Sequence, residues 1–519
     1  MKGSKMVRES FEGGQLKFLS PEEIVRIHQT SLKILEEGGV KVPLSEAMEV
    51  YEKGGARIGP DDQVVRIPAK MVEEALKTAP RSILLCGRDP ANDLILENRK
   101  VYAGTGGAEI HTLDLETQKL RMATLKDVAD LARLVDGLKY IDFYIRAVDA
   151  QDFPLEKLEV NKYYASLVNT GKHVMGNVYF LEKVKEVINL GAMIAGSEKE
   201  LQQRPILSFI TSWMLSPLTL NPEVTKILIE IVKHQMPVAL SSVAIMGLTS
   251  PVTMAGNLAL THAEQLSGIV LTQLVNPGSP VIYGGCPGVI DMRNASFSPG
   301  SIERQILNAA ISQMAQYIGI PNYNIGGITD SKLPDVQAGY EKAFGLSLTA
   351  LAGSNYIHHA AGRIRDGVAY EQYVIDNEII GMAKRAVKGI RVNDETLAFQ
   401  PIQGVGHGGN YIIHPHTIQF FKDELFFPAI SDRKARNAWE DSGCLDARER
   451  ARLEAKKILE NHQPLRIPES CGAQIRKKFE ILYQGESAVS FIKVNYSEET
   501  SLGKTTAKNV PSRKMEVRK

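Results

Sequence analysis

Residues 323–344 read YNIGGITDSKLPDVQAGYEKAF, and this stretch decides the fold prediction. A short apolar run ends at Ile325 in two glycines, a polar loop follows, and a helical pattern begins near Tyr340. A strand that opens through Gly-Gly into a polar loop and then a helix is how a (β/α) barrel presents chemical groups at its strand ends. One apolar residue, Ile328, interrupts the polar loop.

The same alternation continues along the chain from about residue 101. Short apolar runs recur roughly every 30–40 residues and alternate with helical patterns, which is typical of parallel βαβ units. The candidate strands are 102–103, 142–144, 173–175, 206–208, 238–240, 281–283, 323–325 and 356–358. These eight runs predict an α/β fold with a TIM (β/α)8 barrel, and no GxGxxG motif favours a doubly wound dinucleotide-binding sheet.

Four segments are predicted around this pattern. Residues 1–100 form a mixed helical cap, residues 101–425 the barrel, residues 426–490 a C-terminal helical extension and residues 491–519 a disordered tail. The first helix of the cap begins at Ser20, which is followed by proline at the first helical position.

Composition and charge exclude several classes of protein. The chain has 519 residues, of which 44% are hydrophobic and 23% charged, and its net charge of +1 gives no reason to expect nucleic acid or an anionic membrane as a partner. The four cysteines are far apart and have no metal-ligand spacing, so we expect reduced thiols and no metal site. A polar N-terminus and the lack of a long apolar run predict a cytoplasmic protein.

The polar loop contains five candidate residues for chemistry, Thr329, Asp330, Ser331, Lys332 and Asp335. In one interpretation Asp330 or Lys332 polarises a substrate or orders a neighbouring group. In the other, Ser331 or Asp335 caps the helix that follows. The position alone leaves both interpretations open.

Two adjacent histidines, His358 and His359, end the last predicted strand. Either one could donate a hydrogen bond to a carboxylate or act as a base. Because adjacent side chains point to opposite faces of a strand, we expect at most one of them to face the site. Core or surface histidines are the alternative.

Aromatic residues at predicted strand ends could enclose a quaternary ammonium group by cation–π attraction, although each is individually more typical of a core. They are Phe209, Trp213, Tyr283, Tyr323, Tyr356 and Tyr411, with Trp213 the first choice. A separate glycine-rich loop allows close approach of a backbone or a bulky cofactor but lacks the GK[ST] ending of a phosphate loop. Its glycines are Gly404, Gly406, Gly408 and Gly409.

Taken in order along the chain, several motifs resemble the trimethylamine methyltransferase superfamily of corrinoid-dependent methyltransferases. They include Cys86-Gly87-Arg88-Asp89, Ser216-Pro217-Leu218, Glu264-Gln265-Leu266-Ser267-Gly268, Asp330 with Lys332, Gln337-Ala338-Gly339 and Val374-Ile375-Asp376-Asn377. The resemblance covers about residues 15–465. It implies a TIM barrel that moves a methyl group from an amine to Co(I) of a corrinoid carried by a separate small protein. It therefore implies that a corrinoid protein is the partner and that the chain itself binds no cofactor tightly. We also expect a homo-oligomer.

Ile328 bears on the substrate that the resemblance implies. In the trimethylamine-specific branch, pyrrolysine occupies the position directly before the Ser/Thr-Asp of this loop, and that position is Ile328 here. The chain therefore resembles the branch that lacks pyrrolysine and is associated with quaternary amines. A quaternary ammonium expels a neutral amine, so its demethylation needs positioning and desolvation but no acid catalyst.

The expected function is a quaternary amine:corrinoid protein methyltransferase, with glycine betaine as the first substrate. Proline betaine, carnitine or γ-butyrobetaine are alternative substrates, and a non-catalytic module that docks the corrinoid protein is a further alternative. Asp330 is the predicted catalytic residue, in an electrostatic or loop-ordering role, and the four glycines are predicted to contact the partner's corrinoid. The predicted substrate-binding residues are Trp213, Tyr323 and Tyr356 around the ammonium, Ile328 as an apolar wall, and Asn355 with His358 or His359 at the carboxylate.

Overall fold

Eight parallel strands form the centre of the computed structural model, which describes residues 8–59 and 63–484. They are β1 Lys100–Thr105, β2 Phe143–Ile145, β3 His173–Gly176, β4 Leu207–Thr211, β5 Val238–Leu240, β6 Val281–Gly284, β7 Asn322–Ile325 and β8 Tyr356–Ala361. Each strand pairs with the next, and β8 pairs with β1 to close the barrel. The predicted TIM barrel and its eight strands are confirmed.

One long helix follows each strand and packs on the outside of the barrel. The helices are α1 Leu125–Gly137, α2 Leu158–Asn169, α3 Leu181–Ala195, α4 Pro222–Lys233, α5 Met254–Val275, α6 Ile302–Ile318, α7 Val336–Leu351 and α8 Tyr370–Lys388. Asn221 starts α4 by accepting the backbone N–H groups of Glu223 and Val224. Within the described residues, no helix combines the length and the apolar content needed to cross a membrane.

Apolar side chains fill the barrel interior toward the N-terminal ends of the strands. Tyr356 stacks on Phe143 with ring centroids 3.6 Å apart, and both rings are fully buried. A hairpin of Ser82–Leu85 and Leu94–Glu97 precedes β1, and its apolar side chains join the same buried cluster. The hairpin closes the N-terminal end of the barrel, which leaves the C-terminal strand ends for binding and chemistry.

The N-terminal cap consists of helices and a small sheet outside the barrel. Its helices are Pro21–Lys33, Ser45–Lys53 and Ala69–Thr78, and its strands are Val40–Lys41, Arg57–Ile58 and Val64–Arg66. Ser20 caps the first helix as predicted, because its hydroxyl accepts the N–H of Glu23 while the Glu23 carboxylate accepts the N–H of Ser20. Strand Val40–Lys41 pairs with Thr219 in the loop after β4.

Residues 390–427 form an arm that leaves the barrel after α8. Its helices are Asp394–Leu397, Phe399–Val405 and Pro415–Glu424. Arg385 and Lys388, at the end of α8, bind the backbone carbonyls of Glu424 and Asp423 at the root of the arm. Since α8 runs antiparallel to the strands, this root lies at the N-terminal end of the barrel.

The barrel is therefore shorter than the predicted segment 101–425, because its last helix ends at Lys388. Glu378 accepts three backbone N–H groups of residues 429–431, at 2.7–2.8 Å, where the chain returns to α8. Helices Arg436–Asp441, Ala447–Asn461 and Glu469–Lys478 follow in the predicted extension. The predicted tail, 491–519, lies outside the described residues.

Two helical glycines give opposite predictions for substitution by alanine. A Cβ on Gly268 of α5 would lie 2.4 Å from Trp213 Cζ2, whereas a Cβ on Gly339 of α7 would meet nothing within 4 Å. We expect Gly268→Ala to lower the free energy of unfolding by about 1–3 kcal/mol through overpacking. Gly339→Ala should raise it by about 0.5–1 kcal/mol. Urea unfolding of both variants tests this, and equal stability of the two would contradict the Trp213 contact.

Candidate active site

A cavity of about 470 Å³ opens at the C-terminal ends of the barrel strands. This volume is in the range of small-molecule sites, and the location is the one that (β/α)8 barrels use for chemistry. All eight strands contribute a lining residue near or just beyond their C-terminal ends. In strand order these residues are Gly107, Ile145, Asn177, Thr211, Ser241, Cys286, Ile325 and His358.

The two histidines at the end of β8 both line the cavity. Their Nδ1 atoms are 2.9 Å apart. His359 has φ +55, and the register between β8 and β1 shifts after Ile357, so the strand no longer alternates its side chains at this point. The expectation that at most one histidine faces the site is wrong because of this irregularity. Gly106 leaves space for the His359 side chain, since a Cβ on Gly106 would lie 2.4 Å from His359 Nδ1.

Burial keeps both histidines neutral. It lowers the pKa of His358 to about 3, with further contributions from the positive charges of Arg304 and Arg363. Burial also lowers the pKa of His359 well below its usual value, and the neighbouring His358 adds to this effect. Cys286 Sγ lies 3.9 Å from His358 Nε2, and burial raises the pKa of the thiol. At neutral pH these groups supply hydrogen bonds without charge.

Three arginines line the cavity, and two of them have carboxylate partners. Arg146 binds Asp149, and Arg363 Nη2 lies 2.6 Å from Glu109 Oε1. The third, Arg304, forms no ion pair with any carboxylate of the described residues.

Arg304 belongs to the first turn of α6 and is almost completely buried. Its Nη1 donates to the carbonyl of Pro299 at 3.3 Å, and its guanidinium carbon is 5.5 Å from the ring centroid of Phe297. Burial lowers the pKa of Arg304 to about 10, so the side chain remains a cation at neutral pH. The cavity therefore contains one uncompensated positive charge beside β6 and β8.

Apolar and aromatic side chains form the rest of the cavity wall. Val178 and Tyr179 follow β3, Ile210 belongs to β4, and Phe297 lies in the loop after β6. The Tyr179 hydroxyl donates to Asp149 at 2.6 Å, which fixes the ring. Among the described residues that line the cavity there is no aspartate or glutamate. Such a site suits a ligand with one anionic group and an apolar remainder.

Tyr323 and Ile328 lie just beneath the cavity wall. Both are fully buried and belong to the same apolar cluster as Ile325 and Cys286, which do line the cavity. The Tyr323 ring meets His358 edge-on, with centroids 4.9 Å apart. These two predicted residues therefore support the wall, and Tyr356 lies deeper, in its stack on Phe143.

Asp330 lies behind the cavity and orders the loop that carries Phe297. Its Oδ2 accepts the Ser298 hydroxyl at 2.7 Å and the Gly300 N–H at 3.0 Å, and its Oδ1 pairs with Arg365 at 2.5 Å. Of the two roles considered for Asp330, electrostatic or loop-ordering, these contacts favour the loop-ordering role. Asp335 caps α7 by accepting the N–H of Ala338 at 3.0 Å.

Three further groups of predicted site residues lie away from the cavity. Trp213 is fully buried against α5. Asn355 precedes β8 at the opposite end of the barrel, where its amide binds Asn322 and the carbonyl of Lys100. The four glycines lie on the arm, in or next to helix Phe399–Val405. None of these residues lines the cavity, so their positions do not allow contact with a ligand bound there.

Sequence reasoning missed the residues that give the cavity its charge and its wall. They are Arg146, Tyr179, Cys286, Phe297, Arg304 and Arg363. One of them carries a signal in the sequence. Arg304 stands in the first turn after the helix start at Ser301, where the helix dipole disfavours a positive charge, so a functional role could have been suspected.

The fold and the cavity define the class of protein, a (β/α)8 barrel with a cavity at its strand ends that has the size of a small-molecule site. Residues 4–480 match the family described as trimethylamine methyltransferase (MTTB), and the chain belongs to this family. Family members are methyltransferases, and the resemblance found in the sequence is confirmed.

Two relatives carry different substrate names. The trimethylamine methyltransferase MttB of Desulfitobacterium hafniense (strain DSM 10664 / DCB-2) is 37% identical over 467 residues, which is 90% of this chain and 94% of the relative. The glycine betaine methyltransferase of Desulfitobacterium hafniense (strain Y51) is 32% identical over 464 residues, or 88% and 95% of the two chains. Overall identity therefore does not assign the substrate.

Among solved structures, the Methanosarcina barkeri monomethylamine methyltransferase (MtmB) covers 90% of this chain and 100% of its own. Its sequence identity is 10% and its TM-score 0.46. We draw no argument from a likeness at this level.

Because His358 is buried in its neutral form, the free energy of unfolding should depend on pH. The folded-state pKa of about 3 is below the ordinary 6.5, so between these values the unfolded chain binds a proton that the folded chain does not. The contribution is complete above pH 6.5 and is lost as the pH falls. Between pH 7.5 and pH 5, His358→Gln should lose about 2 kcal/mol less free energy of unfolding than the wild type. Urea unfolding at both pH values measures this, with exposed His407→Gln as control; equal losses in wild type and His358→Gln would contradict it.

Proposed function

We propose that the chain is a quaternary amine:corrinoid protein methyltransferase with glycine betaine as its first substrate. The methyl group would move from the ammonium nitrogen to Co(I) of a corrinoid that a separate protein carries. The observation that carries the proposal is the buried, uncompensated charge of Arg304 in a cavity that has no carboxylate among its described lining residues.

The charge of the cavity favours a zwitterion over a simple cation. A buried arginine without a counter-charge is unfavourable, and a carboxylate ligand relieves this by a charge-assisted hydrogen bond. A cation that lacks a carboxylate, such as choline or protonated trimethylamine, would meet only the repulsion of Arg304. Neutral His358, near Arg304 on the β6–β8 side, is suited to donate a second hydrogen bond to the carboxylate.

The apolar side of the cavity suits the trimethylammonium group. Tyr179, Val178 and Ile210, on the β3–β4 side, offer a ring and apolar surface to the N-methyl groups, and burial of those groups together with cation–π attraction stabilises them. Ile328 and Tyr323 support this wall from beneath. The positive charge of the ligand would then lie away from Arg304.

The absence of a carboxyl group among the described residues of the wall fits the reaction of a quaternary amine. The corrinoid supplies the nucleophile when its carrier protein is bound. The C–N bond breaks with its electron pair returning to nitrogen, so dimethylglycine leaves as a neutral amine and needs no proton from the enzyme. The described cavity residues then only have to orient the methyl group and exclude water.

The corrinoid protein has to reach the strand-end face of the barrel, because the cavity opens there. The segments that follow β5 and β6 at this face carry exposed apolar side chains, among them Leu248, Val252 and Met292. The arm that carries the four glycines is rooted at the other end of the barrel, so we propose that the corrinoid approaches the strand ends and not the glycine loop.

The alternatives are weighed by the same cavity. A volume of about 470 Å³ also admits proline betaine, carnitine or γ-butyrobetaine, each of which has a carboxylate and a quaternary nitrogen. A module that only docks the corrinoid protein would have no use for a cavity of this size with a buried cation. The cavity therefore supports a catalytic function.

A corrinoid methylation assay tests the proposal. The protein is incubated with a reduced Co(I) corrinoid protein and each candidate amine, and the absorption spectrum of the corrinoid follows its methylation. We expect methylation with glycine betaine or a larger betaine, and none with trimethylamine or choline. Methylation by trimethylamine alone would refute the substrate class. Failure with every amine, for a corrinoid protein shown to bind the chain, would favour the docking alternative.

Substitution of Arg304 tests the carboxylate site. Arg304→Met keeps the length of the side chain and removes its charge, so the KM for glycine betaine should rise about 10- to 100-fold, the loss expected for a hydrogen bond to a charged group. Stability should change little, since replacement of a buried ion by an apolar residue is often neutral.

The matched control is Arg293→Met, because Arg293 lies in the loop after β6, as Phe297 does, but is exposed and paired with Asp291. Its KM should equal that of the wild type. An unchanged KM in Arg304→Met would overturn the carboxylate assignment while leaving methyl transfer itself intact.

A further inference from the structure

The arm of residues 390–427 exposes an unusual amount of apolar surface. Ile390, Ile412 and Ile413 are 87%, 82% and 81% exposed. Other large apolar side chains of the arm are also exposed, namely Val392, Leu397, Phe399, Ile402, Tyr411, Ile418, Leu425 and Phe427. Apolar residues scattered singly on a surface are normal, but a concentration of this kind marks an interaction site.

The arm also lacks the charges of an ordinary solvent-exposed segment. Residues 396–421 contain no lysine, arginine, aspartate or glutamate. Charged side chains keep exposed segments soluble and discourage association, and they are depleted in the centre of protein interfaces. The sequence of the arm is therefore that of a covered surface.

The arm makes few contacts with its own barrel, so the barrel does not cover the apolar residues of the arm. Helices Asp394–Leu397 and Phe399–Val405 contain no buried residue, and Phe420 is the buried residue of helix Pro415–Glu424. The arm is held together internally, by His416 Nε2 at 3.1 Å from the carbonyl of Glu395 and by Arg391 over the ring of Phe420 at 5.7 Å. Its apolar residues are thus not part of the barrel core.

The shape of the arm combines a groove with a projection. A groove of about 720 Å³ runs between its helices and is lined by Leu397, Phe399 and Phe420 among others. The turn before helix Pro415–Glu424 projects two isoleucines, Ile412 and Ile413. One copy of the arm therefore carries both an apolar recess and an apolar tip, as a self-complementary contact between two identical chains requires.

We propose that the arm is the contact through which two copies of this chain associate, with the Ile412-Ile413 tip of each copy seated on the arm of the other. A standard interface buries roughly 800 Å² per partner with about 20–30 residues a side, which an arm of this length can supply. The corrinoid protein is the less suitable occupant, because the root of the arm lies at the barrel end opposite the cavity.

The mass of the full-length protein in solution tests the proposal. Sedimentation velocity is measured from about 1 to 50 µM for the wild type, for Ile412→Asp/Ile413→Asp on the tip and for Leu397→Glu in the groove. Leu453→Glu, at an exposed apolar residue outside the arm, is the control. We expect the wild type and the control to run at twice the chain mass or a higher multiple. Both arm variants should shift to the mass of one chain, with unchanged far-UV circular dichroism.

Three results would overturn the proposal. They are a wild type that stays at the mass of one chain over the whole range, arm variants that keep the wild-type mass, and a control that dissociates with them. A monomeric wild type whose arm variants lose binding to the corrinoid protein would assign the arm to that partner. The test does not depend on the substrate, so its outcome is separate from that of the methylation assay.

Discussion

A buried ion pair between α7 and α8 holds together the two loops on which the cavity depends. Lys342 Nζ and Asp376 Oδ2 are 3.2 Å apart, and neither side chain is exposed. The lysine also donates to the carbonyl of Gly327 after β7, and the carboxylate accepts the N–H of Gly362 after β8. Burial lowers the pKa of Lys342 and raises that of Asp376 to about 6, because it disfavours the charged form of each group. The attraction between the two charges offsets part of this desolvation cost. The positions of His358 and of the wall beneath it follow from this link.

The sequence predicted the barrel well because its signals are local. Most of the strands are short apolar runs that end in, or directly before, a glycine or a small polar residue, and such a run can be recognised without its partners. The irregularity at His359 could not be predicted in this way, since it arises from the pairing of β8 with β1 and from the space at Gly106. Trp213 and Asn355 are polar-tipped side chains that the fold uses for packing and for strand-end hydrogen bonds, and their residue types do not reveal this.

The charge of the cavity is the other feature that the sequence concealed. Arg304, Arg363 and Glu109 come from three distant segments, and only the folded barrel shows that two of these charges cancel and the third does not. Two neutral histidines and a neutral thiol add polarity without altering that balance. Family membership leaves trimethylamine and glycine betaine both open, so the proposed choice between them rests on the electrostatics of the cavity.

The hairpin under the barrel has a consequence for the order of events in the proposed reaction. Because its side chains fill the N-terminal end of the barrel, the amine and the corrinoid have to use the same opening at the C-terminal strand ends. A carrier protein seated on that opening would block the exit of the small molecule. Turnover would then follow a compulsory sequence, in which the amine enters first and its demethylated product leaves only after the carrier has departed.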